Sequence, residues 1–129
     1  MKLSWMIAGA TLSALGCAHH EAEVLDVPTT TGATLVPNES AVRMLSTTRC
    51  AYEQACGHVG DGERFVDTAD CMKAAELDER TAIGLDACPF GVDGDRLDRC
   101  AAAVRAHPCD SPITTVDHLA QCRRSDLCW

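Results

Sequence analysis

The feature that most constrains this chain is a ladder of eight cysteines: Cys50, Cys56, Cys71, Cys88, Cys100, Cys109, Cys122 and Cys128. A ninth, Cys17, stands apart at the end of an apolar leader. An even set of cysteines behind an export signal reads as a disulfide framework. The spacings do not suit metal: there is no Cys-x-x-Cys, and no His-x-x-x-His to complete a zinc finger. Four bridges would brace a domain of this size strongly, each contributing ~2–4 kcal/mol by restricting the unfolded chain.

The leader fixes where such a domain is expected. Residues 1–16 read as a signal peptide, with Lys2 as its basic end and the uncharged stretch from Leu3 to Leu15 as its core. That core is shorter than the ~20 residues a membrane-spanning helix needs. The cut falls after Ala14-Leu15-Gly16, directly before Cys17, in a pattern that resembles the lipobox of bacterial lipoproteins. The match is imperfect, because Ala14 stands where Leu is usual and Leu15 where a small residue is commoner. Parity favours lipidation all the same: acylated Cys17 leaves eight partners, whereas plain secretion leaves nine and one orphan thiol. Cys17 is therefore expected to carry the lipid (palmitate or similar acyl chains), since two or more chains anchor stably where one binds marginally.

Without residues 1–16 the chain carries 10 Lys and Arg against 19 Asp and Glu. Nucleic-acid phosphates repel such a surface, so no nucleic-acid partner is expected. Residues 17–37 read as the lipidated cysteine and a flexible tether, reaching up to ~65 Å if extended. The tether lacks periodicity and has little to bury. His19, His20 and Glu21 read there as spacer, not as metal ligands.

Residues 38–129 read as one all-α domain, a small disulfide-rich bundle of about four short helices. Asn38 or Ser40 would cap the first, whose stripe runs Val42, Leu45, Arg49, Tyr52 and Cys56 up to Gly57. The glycines 57, 60 and 62 mark a tight turn, for the phosphate-loop pattern is missing. A second helix starts near Asp67 or Thr68 and fades by Gly84, on strong helix formers from Cys71 to Arg80. Cys88-Pro89-Phe90-Gly91 is a turn. Asp93 caps a third helix facing inward through Leu97, Cys100, Ala101 and Val104, ended by His107-Pro108. Ser111-Pro112 opens a fourth through Val116, Leu119 and Cys122. No segment alternates long enough to suggest a strand.

Cys50 and Cys56 on one helix would sit ~9 Å apart along its axis, beyond the ~7 Å limit for bridged Cα atoms. The preferred bridge is Cys56–Cys71, closing an antiparallel hairpin of the first two helices. Eight cysteines allow 105 pairings, so the rest of the map stays open.

The ladder and its surroundings resemble a known family. The matching features are Cys50, Cys56-Gly57, Gly60-x-Gly62, Cys71, Cys88-Pro89-x-Gly91-Val92-Asp93, Leu97-x-x-Cys100, Cys109, Pro112, Cys122-Arg123 and Leu127-Cys128. They are similar to those of small eight-cysteine lipoproteins of myxobacterial type. That family is classed under domain of unknown function 6184 and labelled natural product biosynthesis lipoproteins. The likeness spans roughly residues 40–129 and the leader. It implies association with biosynthetic gene clusters, no chemistry, and no catalytic residue to carry over.

Function must then be argued from residue types. Asp93, Asp95 and Asp98 fail the calcium-loop pattern, since Leu97 and Val104 fall where ligands belong. Asp117-His118 is the nearest thing to a catalytic dyad, but neighbours on a helix point ~100° apart. No cofactor, no metal and no catalytic residue are expected. The expectation is a lipid-anchored envelope protein of the outer membrane, on its periplasmic or surface side. It would act as a binding or accessory module toward a protein or small-molecule partner. A purely structural envelope protein or a secreted effector is the alternative, ahead of a small hydrolase. Phe65, Phe90 and Trp129 are the candidate contacts, because aromatic residues dominate interface hot spots.

Overall fold

The computed structural model describes residues 34–129; Cys17 and most of the expected tether lie outside them. Three helices carry the fold: α1 (Asn38–Ala55), α2 (Thr68–Ile83) and α3 (Gly94–Arg105). Two two-residue strands, β1 (Leu35–Val36) and β2 (Val92–Asp93), pair antiparallel with Val36 opposite Val92. The C-terminal segment folds as two 3-10 turns, Val116–His118 and Ala120–Cys122, and one turn of helix, α4 (Arg124–Leu127). The molecule is thus a small disulfide-rich helical bundle, and the strand pair draws in two residues expected in the tether.

Helix α1 buries Ala41, Val42, Leu45, Ser46, Arg49, Cys50, Tyr52 and Glu53, a stripe at helical spacing. Its N-cap position is Pro37, whose carbonyl accepts from Ser40 and Ala41 at 3.0 Å. Neither Asn38 nor Ser40 is the cap. Asn38 is committed elsewhere: its Nδ2 donates to the carbonyls of Ile83 (2.8 Å) and Cys88 (2.9 Å). It thereby satisfies a carbonyl that the end of α2 leaves open. Gly57 follows α1 at φ +75°, a conformation that favours glycine. Asp67 caps α2 by accepting from the Asp70 amide at 2.8 Å. Cys71, Ala75, Glu79 and Ile83 form the buried row of α2, one residue per turn. The start of α1 meets the end of α2 through Asn38, so the two helices form the expected antiparallel hairpin.

The disulfides are Cys50–Cys71, Cys56–Cys109, Cys88–Cys128 and Cys100–Cys122. Cys50 and Cys56 do not pair with each other, as expected, but the preferred Cys56–Cys71 bridge is wrong. Cys50 lies on the face of α1 that turns toward α2. Cys56 lies past the helix end and is carried toward the segment after α3. Four bridges point to an oxidising, extracytoplasmic compartment. Among the described residues no helix is long and apolar enough to cross a membrane.

The expected fourth helix from Ser111 does not form. Ile113-Thr114-Thr115-Val116 is a β-branched run, poorly suited to helix. The carbonyls of Ile113 and Thr114 are taken instead by Arg64 Nη1 and Arg49 Nη2, each at 2.9 Å. With those acceptors used across the fold, the segment drapes over α1 and α2. Ile113, Val116, Cys122 and Leu127 point into the core formed by α1, α3 and β2.

Candidate functional site

The three aromatic residues expected as contacts have different fates. Phe65 is only 7% exposed and packs with Cys50, Cys71 and Ala75 in a small second core, with the Arg64 guanidinium 5.1 Å above its ring. It covers a disulfide and offers no contact surface. Phe90 and Trp129 are exposed, at 74% and 50%. Both sit at one corner, built from the Cys88–Cys128 disulfide and the pairing of Val92 with Cys128. The Trp129 amide donates to the Gly91 carbonyl at 3.2 Å, which places Trp129 opposite the residue that follows Phe90. Gly91 has φ +97°, and a Cβ there would come within 2.8 Å of Leu35 Cδ1. Glycine is therefore what lets β1 close on this turn. Leu35 is half exposed beside it, and Leu85 is exposed on the turn leading to Cys88. The corner thus combines a braced backbone with large apolar side chains in water.

The Asp117-His118 pair is not a dyad in space. His118 Nδ1 lies 3.1 Å from Thr114 Oγ1, while Asp117 faces a cleft described below. Asp93 caps α3 through the Arg96 amide at 3.0 Å, which accounts for that acid by local structure. Among the described residues, no group of three or more His, Cys, Asp or Glu side chains could hold a metal ion. Arg124 lies back along α2, donating to the carbonyls of Ala82 (3.1 Å) and Thr81 (3.3 Å).

Sequence reasoning missed two buried polar clusters. In the first, Glu53 is fully buried on α1; its carboxylate faces His58 Nδ1 at 2.6 Å and accepts from Arg64 Nη1 at 3.0 Å. Tyr52 beside it donates to the Pro108 carbonyl at 3.1 Å, and burial, with the Glu53 charge, pushes its phenol up. Among the described residues no Ser, Thr or Cys side chain hydrogen-bonds the His58 ring, so a carboxylate–histidine pair is present without a nucleophile on it. Arg64 and Tyr52 instead fasten the segment from Pro108 to Ile113. The signal available in the sequence was Glu53 and His58 flanking the Gly57 turn, a spacing with no established motif.

The second cluster joins α1 to α2. Arg49 is 1% exposed and donates to Asp78 Oδ2 at 2.8 Å and to the Thr114 carbonyl. Glu79, also fully buried, lies 3.9 Å from Arg49 Nη1, too far for a hydrogen bond. Among the described residues, both Glu79 carboxyl oxygens and Arg49 Nε have no hydrogen-bond partner. A buried polar group left unpaired costs ~1–3 kcal/mol. Burial, then the charges of Asp78 and Asp117 opposed by that of Arg49, pushes the Glu79 carboxyl up to about 8. Glu79 is thus predominantly protonated at pH 7. It lines a cleft of about 170 Å³ with Asp78, Thr81, Ala82, Thr115, Val116, Asp117 and Arg124. The spacing Arg49…Asp78-Glu79 carried no motif; only the Arg in an apolar stripe hinted that α1 needed a charged partner.

A family model described as a family of unknown function, DUF6184, matches residues 50–129. Those residues hold all eight bridged cysteines, Phe90 and Trp129, and every member of the two polar clusters except Arg49. No curated protein and no solved structure matches the chain.

Proposed function

We propose, from the premise that the chain belongs to the DUF6184 family of unknown function, that its domain is a non-catalytic binding or accessory module. In this reading it is held at the bacterial envelope by lipid on Cys17. The observation that carries the binding role is the corner at Gly91. Two large aromatic side chains stand in water there, on backbone locked by the Cys88–Cys128 bridge and by the pairing of Val92 with Cys128. Aromatic anchors on rigid backbone lose little freedom when they bind. A lipid tether would add local concentration at the membrane without adding contacts.

The lipobox-like end of the leader and the parity of the cysteines support the anchor, and the resemblance to lipoproteins of myxobacterial type supports a link to natural product biosynthesis. The mass of the mature protein from the membrane fraction tests the anchor: loss of residues 1–16 with acyl chains on Cys17 is expected, and a soluble, unmodified product contradicts it. Capture of envelope proteins by the intact chain, compared with F90A and W129A, tests the binding role. Both variants should lose capture. Hydrolysis of a lipid, peptide or ester by the purified protein, abolished by replacing Asp117 or His118, would overturn the non-catalytic reading.

A further inference from the structure

The side chains that line the cleft over Glu79 have spare hydrogen-bonding capacity of one kind; Arg49 Nε, also unpartnered among the described residues, does not line it. The charged donors near it are largely committed: Arg49 to Asp78 and the Thr114 carbonyl, and Arg124, in its lining, to the carbonyls of Thr81 and Ala82. The cleft's acceptors are not, because both Glu79 oxygens are buried and have no partner among the described residues. The charged groups facing Glu79 are Arg49 from α1, Asp78 from its own helix, Asp117 from the 3-10 turn and Arg124 from α4. An anion would meet three carboxyl groups there. A divalent metal would want several converging ligands, and among the described residues no such group exists. What fits is a compact cation carrying its own N–H donors, with Ala82 and Val116 as the apolar wall for a short alkyl stem.

We propose that this cleft is a binding site for a small primary ammonium group, held by the carboxyl of Glu79 with Asp117 at its mouth. The site does not depend on the lipid anchor or on the aromatic corner. Binding exchanges one proton: the neutral Glu79 carboxyl and the incoming ammonium give a carboxylate–ammonium pair, and the carboxyl proton goes to buffer. The raised Glu79 pKa makes this exchange observable, because affinity should then strengthen about tenfold per pH unit from about pH 6 to about pH 8. In the resting protein the carboxyl stays protonated, which is how an empty cleft tolerates it.

The test titrates ethylammonium chloride into the intact oxidised protein and follows backbone amide resonances. Tetramethylammonium chloride, which has the same charge but no N–H donors, is the control. Saturable shifts at Thr115, Val116 and Asp117 are expected with ethylammonium only, tightening with pH as above. E79Q keeps a neutral isostere and so keeps the fold, yet should lose saturable binding, and D117N should weaken it severalfold. Equal responses to both cations, no saturable shift at those residues, or unchanged binding by E79Q would each overturn the proposal.

Discussion

Arg49 Nη1 and Asp78 Oδ2 meet at 2.8 Å across the α1–α2 hairpin, with the Cys50–Cys71 disulfide springing from the very next residue of α1. A covalent and an ionic link therefore fasten the same helix pair, and Arg49 extends the ionic one to the Thr114 carbonyl. R49A should destabilise the oxidised protein by about 1–3 kcal/mol, because the Thr114 carbonyl loses its donor while Asp78, 37% exposed, can turn to water. R49K should recover only part of this, since an ammonium lacks the planar fork that reaches two acceptors. Urea unfolding of the three proteins measures both.

Glu79 gives the fold a pH dependence whose sign follows from its raised pKa. Below its ordinary value of 4.5 the acid is protonated whether the chain is folded or not. Between 4.5 and about 8 the unfolded chain releases a proton that the folded chain keeps, so stability falls as pH rises through that window and levels off above it. The loss is about 3 kcal/mol at neutral pH. E79Q should flatten the dependence and raise stability at neutral pH by up to that amount. Melting curves between about pH 5 and about pH 9 decide the matter.

The bridges differ in the chain length they close. Cys56–Cys109 spans 53 residues and Cys50–Cys71 spans 21. Loop-closure entropy then assigns about 4 kcal/mol to the first and about 3 kcal/mol to the second. Replacing both cysteines of each pair by alanine should lower the denaturation midpoint in that order. Peptide mapping without reduction should return the four pairs described and no Cys56–Cys71 peptide.

Phe65 and Phe90 should behave oppositely on truncation. F65A opens a hole beside Cys50 and Cys71 and should cost about 3–5 kcal/mol. F90A removes a side chain that is mostly in water and should leave the melting temperature within about two degrees.

How much of this was legible beforehand follows from the range of each signal. Asp67, Gly57, Asp93 and the turn at Pro89 are local devices, and each does in the fold what its neighbours in sequence announce. The helical spacing of Leu97, Cys100, Ala101 and Val104 likewise sufficed for α3. What failed was set across the fold. Asn38 has the chemistry of a cap but spends its amide on Ile83 and Cys88. The segment after Ser111 is kept from helix by Arg49 and Arg64, far back in the chain, as well as by its β-branched run. The partner of Cys56 turned on where the chain after α3 returns, which no local pattern contains. For the candidate site, Phe90 beside a proline–glycine turn and Trp129 were recognisable as aromatic residues with little around them. The orphaned Glu79 was not, because on a helix surface the sequence Leu77-Asp78-Glu79-Arg80 reads as solvated charge.

The corner at Gly91 is where the proposed partner touches the molecule. A photo-reactive amino acid placed at position 90, at position 129, or at the exposed control position Asp98 on α3, and irradiated in the producing cells, tests this directly. Discrete adducts of the same mass from positions 90 and 129, absent from position 98, are the predicted result. Adducts that are equally strong from position 98, or none from positions 90 and 129, would contradict it.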